Sequence, residues 1–590
     1  MLDCFLKRRG ITWETSLKLT AVLEIRDIQF TINKDGVDFP LLQNVSLRVP
    51  TGHFIAIVGP SGCGKSTLLK TIAGINVESA GDLHWDGRNL SEDGDLQPHE
   101  FGYVPQFSIA YDQLTVEESI DNAIRLRLKT RSKTEVEERA DRIIEQVGLD
   151  QIRERRVSVL SGGQKRRLGL ALELATDPRL LLCDEVTSGL DPKSESEIVN
   201  LLHRLAKSGD RVVASVTHSL GHLDLYDSVL VLFGGRVVYH GPPGAMAHYF
   251  GVALAEEVYP TLATREPEQW GQSWEKYREE YYATMPGFAK VESAPSAARE
   301  KGGKGGTPGF FTQLHVLLAR RWAIFFRDRT QLLLQMAMLL IFPIVVVLFA
   351  LEGIPVLKRP SETLSLNPAA ELVEQIDIEK NRMEVGGLLS GLVMFQVVLL
   401  ALMGSNNSAR EIAGERLIFE KEKLGGLRVS SYLGSKLFFL AVLVAVQSVW
   451  MYLFVNIFAQ MPASVLVHGS LLILVNAAMT AICLGISASM TSPDQASLLS
   501  IYLVGFQLPL SGAVLALPAA VEPFVQPFIS AYWSWSGIVR SLDPRFFAAV
   551  DTVTEASLRS TGLCFAILAA HLLVGIVFAF SGAGRSRWSH

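Results

Sequence analysis

The chain has 590 residues, enough for several domains, and at 48% hydrophobic against 19% charged it is too apolar for an ordinary soluble enzyme. Its net charge of −5 is small and there is no basic stripe, which excludes a nucleic-acid partner. The five cysteines (Cys4, Cys63, Cys183, Cys483 and Cys564) include no metal-type pair, and no disulfide framework is expected.

The apolar excess is uneven. Residues 1–310 read as soluble α/β sequence, and long apolar runs begin near residue 331. Met1–Gly10 is charged and lacks an apolar centre, so no cleavable signal peptide is expected and insertion falls to the later runs. Leu23–Phe30 alternates like a half-buried strand, and Val45–Val49 is a second. The apolar strand Phe54–Val58 then runs into Gly59-Pro60-Ser61-Gly62-Cys63-Gly64-Lys65-Ser66-Thr67, with a helical stretch from Leu68 to Ala73 behind it. This is a G-x-x-x-x-G-K-S P-loop in the strand–loop–helix context that the motif needs. Its glycines let the backbone wrap a phosphate chain, and its amides and the helix N-terminus point positive charge at the anion. Lys65 is expected on the β- and γ-phosphates of ATP, and Ser66 on Mg²⁺. Lys65 and the helix start should also lower the Cys63 thiol pKa.

Downstream, Phe101–Gln106 is a short strand ending on a glutamine, a weak signal by itself. Leu114–Glu118 opens a charged helical region reaching about Val147. Leu160-Ser161-Gly162-Gly163-Gln164 leads into an apolar helix, and Ser-Gly-Gly at a helix start makes an amide-rich anion site. Arg179–Glu185 is an apolar strand ending in two carboxylates. Asp184 would hold Mg²⁺ through water, and Glu185 would orient or activate the attacking water. Ser188-Gly189-Leu190-Asp191 follows, and Val212–His218 is a buried strand ending in a histidine.

In this order the motifs resemble the nucleotide-binding domain of ATP-binding cassette (ABC) proteins over about residues 22–245. The resemblance implies that Gln106 senses Mg²⁺ and contacts the membrane domain. It implies that Ser161, Gly162, Gly163 and Gln164 bind the γ-phosphate held by a second subunit. It also places His218 on the γ-phosphate, and makes the loop bearing Asp191 a link between the two sites. One position departs from the family: where an aromatic residue usually stacks on adenine, this chain has Ile32. Phe30 is read as a core strand residue and Phe39 as the substitute.

From residue 251 to 310 periodicity is lost, and Ser293–Ser296 and Lys301–Gly306 read as a flexible linker. Residues 311–330 form an amphipathic connecting helix with Arg320, Arg321, Arg327 and Arg329, suited to a cytoplasmic membrane interface. Residues 331–590 form the transmembrane domain, with spans expected at about 331–351, 385–404, 432–457, 464–488, 496–516 and 561–581. The connection Ser405–Lys436 is basic and should be cytoplasmic, as should the ATPase domain and both termini. The acidic segment 352–384 belongs outside, and Trp533 and Trp535 suggest that part of Pro518–Ser560 is re-entrant or interfacial. Gln396, Gln447, Asn476, Gln507 and His571 within the spans face a cavity or bond between helices.

ATPase first and six spans after it resembles the White-type half-transporters, subfamily G of the ABC family. Arg410–Arg416, Glu420–Glu422 and Ser431–Leu433 resemble that subfamily's coupling loop, and Ser511-Gly512-Ala513-Val514 its region above the substrate cavity. The first outer loop is longer than typical, and the outer segment before the last span has no cysteine. The fold class expected is therefore an α/β P-loop ABC ATPase domain (1–250), a linker (251–310), the connecting helix and an all-α six-helix membrane domain. The resemblance implies a homodimer, or a pair with a related half-transporter, exporting an amphipathic small molecule or lipid. The alternative is an ATP-gated regulatory or sensor protein that moves no substrate.

Overall fold

The computed structural model describes residues 21–585, apart from residues 35, 108, 131, 286–287, 289–305, 352–367, 514–516 and 519. Nearly all of the Gly- and Ser-rich linker, the start of the long outer segment, and Val514 lie outside the described residues. The chain divides into two compact units, one ending at Pro308 and the other beginning at Gly309.

In the first unit the strands are β1 (Ala21–Lys34), β2 (Val37–Pro50), β3 (Phe54–Val58), β4 (Ala80–Trp85), β5 (Arg88–Asn89), β6 (Phe101–Val104), β7 (Leu180–Asp184), β8 (Val212–Val216), β9 (Ser228–Phe233) and β10 (Arg236–Gly241). The longer helices are α1 (Lys65–Ile72), α2 (Val116–Arg127), α3 (Lys133–Val147), α4 (Gly162–Glu173), α5 (Pro192–Lys207), α6 (Pro243–Phe250), α7 (Val258–Leu262) and α8 (Pro267–Ala283). A four-stranded antiparallel sheet has the order β2-β1-β4-β5, and a six-stranded sheet the order β10-β9-β3-β8-β7-β6. Every residue of β3, β7 and β8 is buried. Unbroken apolar runs are what parallel strands covered on both faces require. Val216 of β8 pairs with Ile57 of β3 and with Asp184 of β7, and Val104 of β6 with Cys183. The carboxyl ends of these strands therefore share one edge, the usual crevice for a ligand in such a sheet.

Where a linker is expected from residue 251, the structure has α7 and α8. Trp270 and Trp274 of α8 are buried, Trp270 Nε1 donates to the Leu262 carbonyl at 3.1 Å, and Tyr282 meets His240 Nδ1 at 3.0 Å. Aromatic residues four apart supply the apolar face here, and the polar residues between them hide it from a hydropathy reading. Behind Tyr282, Ser228 Oγ lies 3.2 Å from His240 Nε2 and 2.8 Å from His53 Nε2. Burial pushes His53 down to about 4 and His240 to about 3.

The second unit contains α9 (Phe310–Arg327), α10 (Arg329–Ala350), α11 (Pro368–Ser408), α12 (Arg416–Leu424), α13 (Val429–Ala459), α14 (Val465–Ser489), α15 (Pro493–Gly505), α16 (Ser530–Val539), α17 (Pro544–Val553) and α18 (Thr561–Gly584). Five helices among the described residues are long and apolar enough to cross a membrane. They match the expected spans near 331, 385, 432, 464 and 561. The expected span 496–516 differs. α15 has 13 residues, about 20 Å of helix against a hydrocarbon core of about 30 Å. The regular helix stops at Gly505, and Pro509 opens a short 3₁₀ turn after it that the left-handed Gly512 (φ 75°) closes. α11 has 41 residues and runs well beyond the expected 385–404.

Two other expectations change. Arg320 and Arg321 of α9 turn inward, onto Glu422 and Glu411, and the exposed face carries Phe311 and Phe326. The connecting helix is amphipathic, but these arginines are spent on ion pairs rather than on lipid head groups. Trp533 and Trp535 are core residues of the wholly buried α16, with indole N–H groups on the Gln526 and Ser390 carbonyls. The polar span residues all find partners. Gln335, Asn407 and Gln447 close a ring of amide hydrogen bonds across α10, α11 and α13, at 2.8 to 3.0 Å. Asn476 joins it, Gln396 pairs with His468, Gln507 accepts from the Ala531 N–H, and His571 lies on Ser530 and Pro527. Interhelical bonding thus accounts for most of these groups, while the Gln396 Nε2 amide is buried with no hydrogen-bond partner among the described residues.

Candidate nucleotide site

The P-loop leaves the buried end of β3 and turns at once into α1. Gly59 (φ 150°) passes so close to β9 that a Cβ would stand 2.2 Å from the Leu232 carbonyl oxygen. Gly64 (φ 100°) is held equally tightly, with the Leu41 carbonyl 2.8 Å from where a Cβ would be. Only glycine satisfies both the backbone angle and the space. Pro60 is half-buried, and Ser61 and Gly62 are exposed at the loop's crown, leading to Ser66 and Thr67 in the first turn of α1. Lys65 is buried, and its Nζ donates to the Gly59 and Pro60 carbonyls at 2.9 Å each.

Cys63 differs from expectation. Its thiol is 6% exposed, and burial pushes its pKa up, outweighing the opposing pull of Lys65 and the loop amides. The helix start and the lysine do act in the expected direction, but desolvation wins.

The neighbouring strand ends complete the site. Ser66 Oγ donates to Asp184 Oδ1 at 2.7 Å, and Tyr103 OH to Asp184 Oδ2 at 3.1 Å. Burial raises the Asp184 carboxyl, against the lowering effect of these two donors. Gln106 Nε2 donates to Glu185 Oε2 at 2.7 Å, and His218 Nε2 lies 2.7 Å from Glu185 Oε1. Both carboxylate oxygens of Glu185 are thereby engaged. Glu185 sits at φ 49°, a left-handed conformation costing about 1 kcal/mol for a residue with a Cβ. Sequence reasoning missed Tyr103. Its signal was faint, a tyrosine inside an otherwise apolar strand end.

The signature residues form a second group. Ser161 is the N-cap of α4: its hydroxyl accepts from the Gln164 N–H at 3.3 Å, and the Gln164 side chain accepts from the Ser161 N–H at 3.0 Å. Gly162 follows as the first residue of α4. Ser161, Gly163 and Gln164 line an open concavity of about 550 Å³ together with Arg167 and Ser194. Asp191 caps α5, accepting from the Lys193 and Ser194 N–H groups and from the Ser194 hydroxyl. The Ser194 hydroxyl is the main reason its carboxyl lies below the ordinary range. The expected adenine position is also resolved: Ile32 and Phe39 face each other across β1 and β2, both exposed, and Phe30 is half-buried opposite Leu42.

Comparison with known families agrees with this geometry. The family model described as ABC transporter matches residues 42–188, and the one described as ABC-2 type transporter matches residues 312–536. The energy-coupling factor transporter ATP-binding protein EcfA1 of Mycoplasma mobile is 34% identical over 226 residues, covering 38% of this chain and 81% of that protein. The chain belongs to the ABC transporter family. Its ATPase domain precedes its membrane domain, the order of a half-transporter. The ABC transporter ATP-binding/permease protein Rv1747 of Mycobacterium tuberculosis is 29% identical over 539 residues. That match covers 88% of this ABC transporter and 58% of the relative's own length. The ABC transporter G family member 13 of Arabidopsis thaliana is 36% identical over 243 residues, 40% of this chain and 35% of that protein.

Proposed function

We propose that this protein is an ATP-driven half-transporter that works as a homodimer and exports an amphipathic or lipid-like substrate. The observation that carries the reading is the convergence of Lys65, Ser66, Gln106, Asp184, Glu185 and His218 at one sheet edge, in a chain whose described residues include five helices apolar enough to cross a membrane. α15 with the chain after it would supply the sixth crossing, and the basic connection after α11 supports a cytoplasmic ATPase domain.

The donor set fits Mg²⁺. Ser66 Oγ and Asp184 Oδ1 are hard oxygen ligands 2.7 Å apart, and Asp184 carries a burial cost that a cation offsets. Bound there, the ion would neutralise charge on the phosphates. The rest is done by the chain itself. Lys65 exchanges its two carbonyl partners for phosphate oxygens, which compete well for a buried ammonium. The P-loop amides cradle the same oxygens. Glu185 gives up one of its partners to hold the attacking water and take its proton. His218, released, is placed to donate to the γ-phosphate. The capped N-terminus of α4 and the concavity beside it suit the phosphate held by a second subunit.

The test uses the protein in lipid vesicles with a panel of fluorescent amphiphiles and phospholipids. Wild type should move at least one of them only with MgATP, and Glu185→Gln should move none. Intact ATPase activity with no movement of any probe would remove the transport reading and favour a gated regulatory protein.

A further inference from the structure

We propose that α14 and α18 move as one body in the transport cycle, and that Arg416 is the positioning residue through which the segment from Arg410 to Leu424 drives them. The inference rests on the transport reading above and says which helices receive the motion.

Three sets of contacts carry it. The first is the packing of α14 on α18. A Cβ at Gly575 would stand 2.5 Å from the Ala481 carbonyl carbon, one at Gly582 2.8 Å from that of Ala488, and one at Gly485 2.6 Å from the Phe578 ring. Backbones in contact through small residues spaced by whole turns leave no slack for one helix to slide past the other. The second is Arg416, which is 5% exposed. Its Nη1 donates to the Ala488 carbonyl at 3.0 Å, and its Nη2 to the Gly582 and Arg585 carbonyls at 3.2 and 3.1 Å. Ala488 is in the last turn of α14, and Gly582 and Arg585 end α18. One guanidinium therefore satisfies open carbonyls at two helix C-termini, where the helix dipoles favour positive charge. Glu420 Oε1 lies 3.2 Å from Arg416 Nε and helps to hold the guanidinium in place. The third is Ser487, whose hydroxyl accepts from the Ile412 and Ala413 N–H groups at 3.1 and 3.0 Å. The turn before α12 is thereby fastened to α14 twice. By contrast, α13 meets the same segment through side-chain contacts: Lys436 pairs with Glu411 and Glu415, the Tyr432 hydroxyl donates to Glu415, and the Tyr432 ring stacks on Phe419 at 4.0 Å.

The experiment reads distances in the full-length protein in lipid nanodiscs. Cysteines at Phe458, Leu466 and Leu563, exposed positions near the ends of α13, α14 and α18, carry spin labels in pairs 458/466 and 466/563. The background is Cys4→Ser, the other native thiols being buried, and dilution with unlabelled subunits leaves one labelled pair per dimer. MgATP in the Glu185→Gln background should shift the 458/466 distance and leave 466/563 unchanged. Arg416→Ala should bind nucleotide as before and lose the shift. Arg416→Lys keeps the charge but cannot span three carbonyls, so it should lose most of the shift even if the alanine variant fails to fold. A 466/563 distance that changes as much as 458/466, or a full shift in Arg416→Lys, would overturn the inference while leaving the transport reading intact. No shift in either pair, with nucleotide bound, would overturn both.

Discussion

Glu185 holds two side-chain partners at the mouth of the site. Gln106 and His218 each meet one of its oxygens at 2.7 Å, and in the proposed mechanism the attacking water uses a remaining lone pair or takes the place of one of them. Glu185→Gln should bind ATP with near-normal affinity and hydrolyse it about 10²- to 10⁴-fold more slowly, since the water loses its proton acceptor. Nucleotide binding and phosphate release, measured on the same preparation, check this. Tyr103 gives a finer test. Its hydroxyl is one of two side-chain donors to the buried Asp184. Tyr103→Phe should raise the Mg²⁺ concentration needed for half-maximal ATPase about tenfold, from ~1.5 kcal/mol for a hydrogen bond to a charged group. An unchanged Mg²⁺ titration would place Tyr103 outside the site. For Cys63 the expectation reverses the one drawn from sequence. Buried and with a raised thiol pKa, it should react slowly with maleimide at neutral pH, and faster as pH rises. Peptide mass analysis of the labelled native protein reads it.

At the scale of elements, the sequence was clearest where one pattern had one cause. β3, β7 and β8 are buried, largely apolar runs, and their carboxyl ends and the residues that follow carry Lys65, Asp184, Glu185 and His218, so this part of the site could be read directly. α8 could not, because its buried face is built from Trp270, Trp274 and Tyr282 among charged neighbours. α15 looked like a span because apolar composition continues past Pro509, although the helix stops at Gly505. The docking of α8 makes a prediction of its own. Tyr282 reaches the core through His240, Ser228 and His53, two imidazoles whose pKa values burial lowers to about 3 and about 4. The unfolded chain takes up protons at these histidines near pH 6.5, before the folded one can. Their stabilising effect is therefore complete above pH 6.5 and fades as the pH falls toward 3. Proteolysis of the ATPase domain should accelerate over that window, with cleavage near α8 among the earliest. His240→Gln, which keeps a polar side chain but does not titrate, should flatten the pH dependence.

At the scale of the whole molecule, the order of the two domains was plain from composition, and a site shared between two subunits was what the family resemblance implied. The chain holds one P-loop and one Leu160–Gln164 signature. Lys65, Ser66, Asp184 and Glu185 converge, but Ser161 and Gln164 are occupied with each other at the cap of α4. In the proposed homodimer, a site that needs both motifs is completed by the second subunit. Lys65→Ala and Gly162→Asp subunits should each be inactive alone, the first without its phosphate anchor and the second with a carboxylate where an anion belongs. Co-expressed, they form mixed dimers in which one site collects both defects and the other pairs an intact P-loop with an intact signature. Random mixing makes about half of the dimers mixed, so about a quarter of normal ATPase should return if the two sites act independently, since catalytic groups that act together fail together. Differently tagged subunits allow the mixed dimers to be purified before the assay. No recovery in them would mean either complete sites within one chain or obligatory firing of both sites. Dimers of one wild-type and one Lys65→Ala subunit separate these cases, because they keep one intact site: within-chain sites leave them about half active, and obligatory coupling leaves them dead.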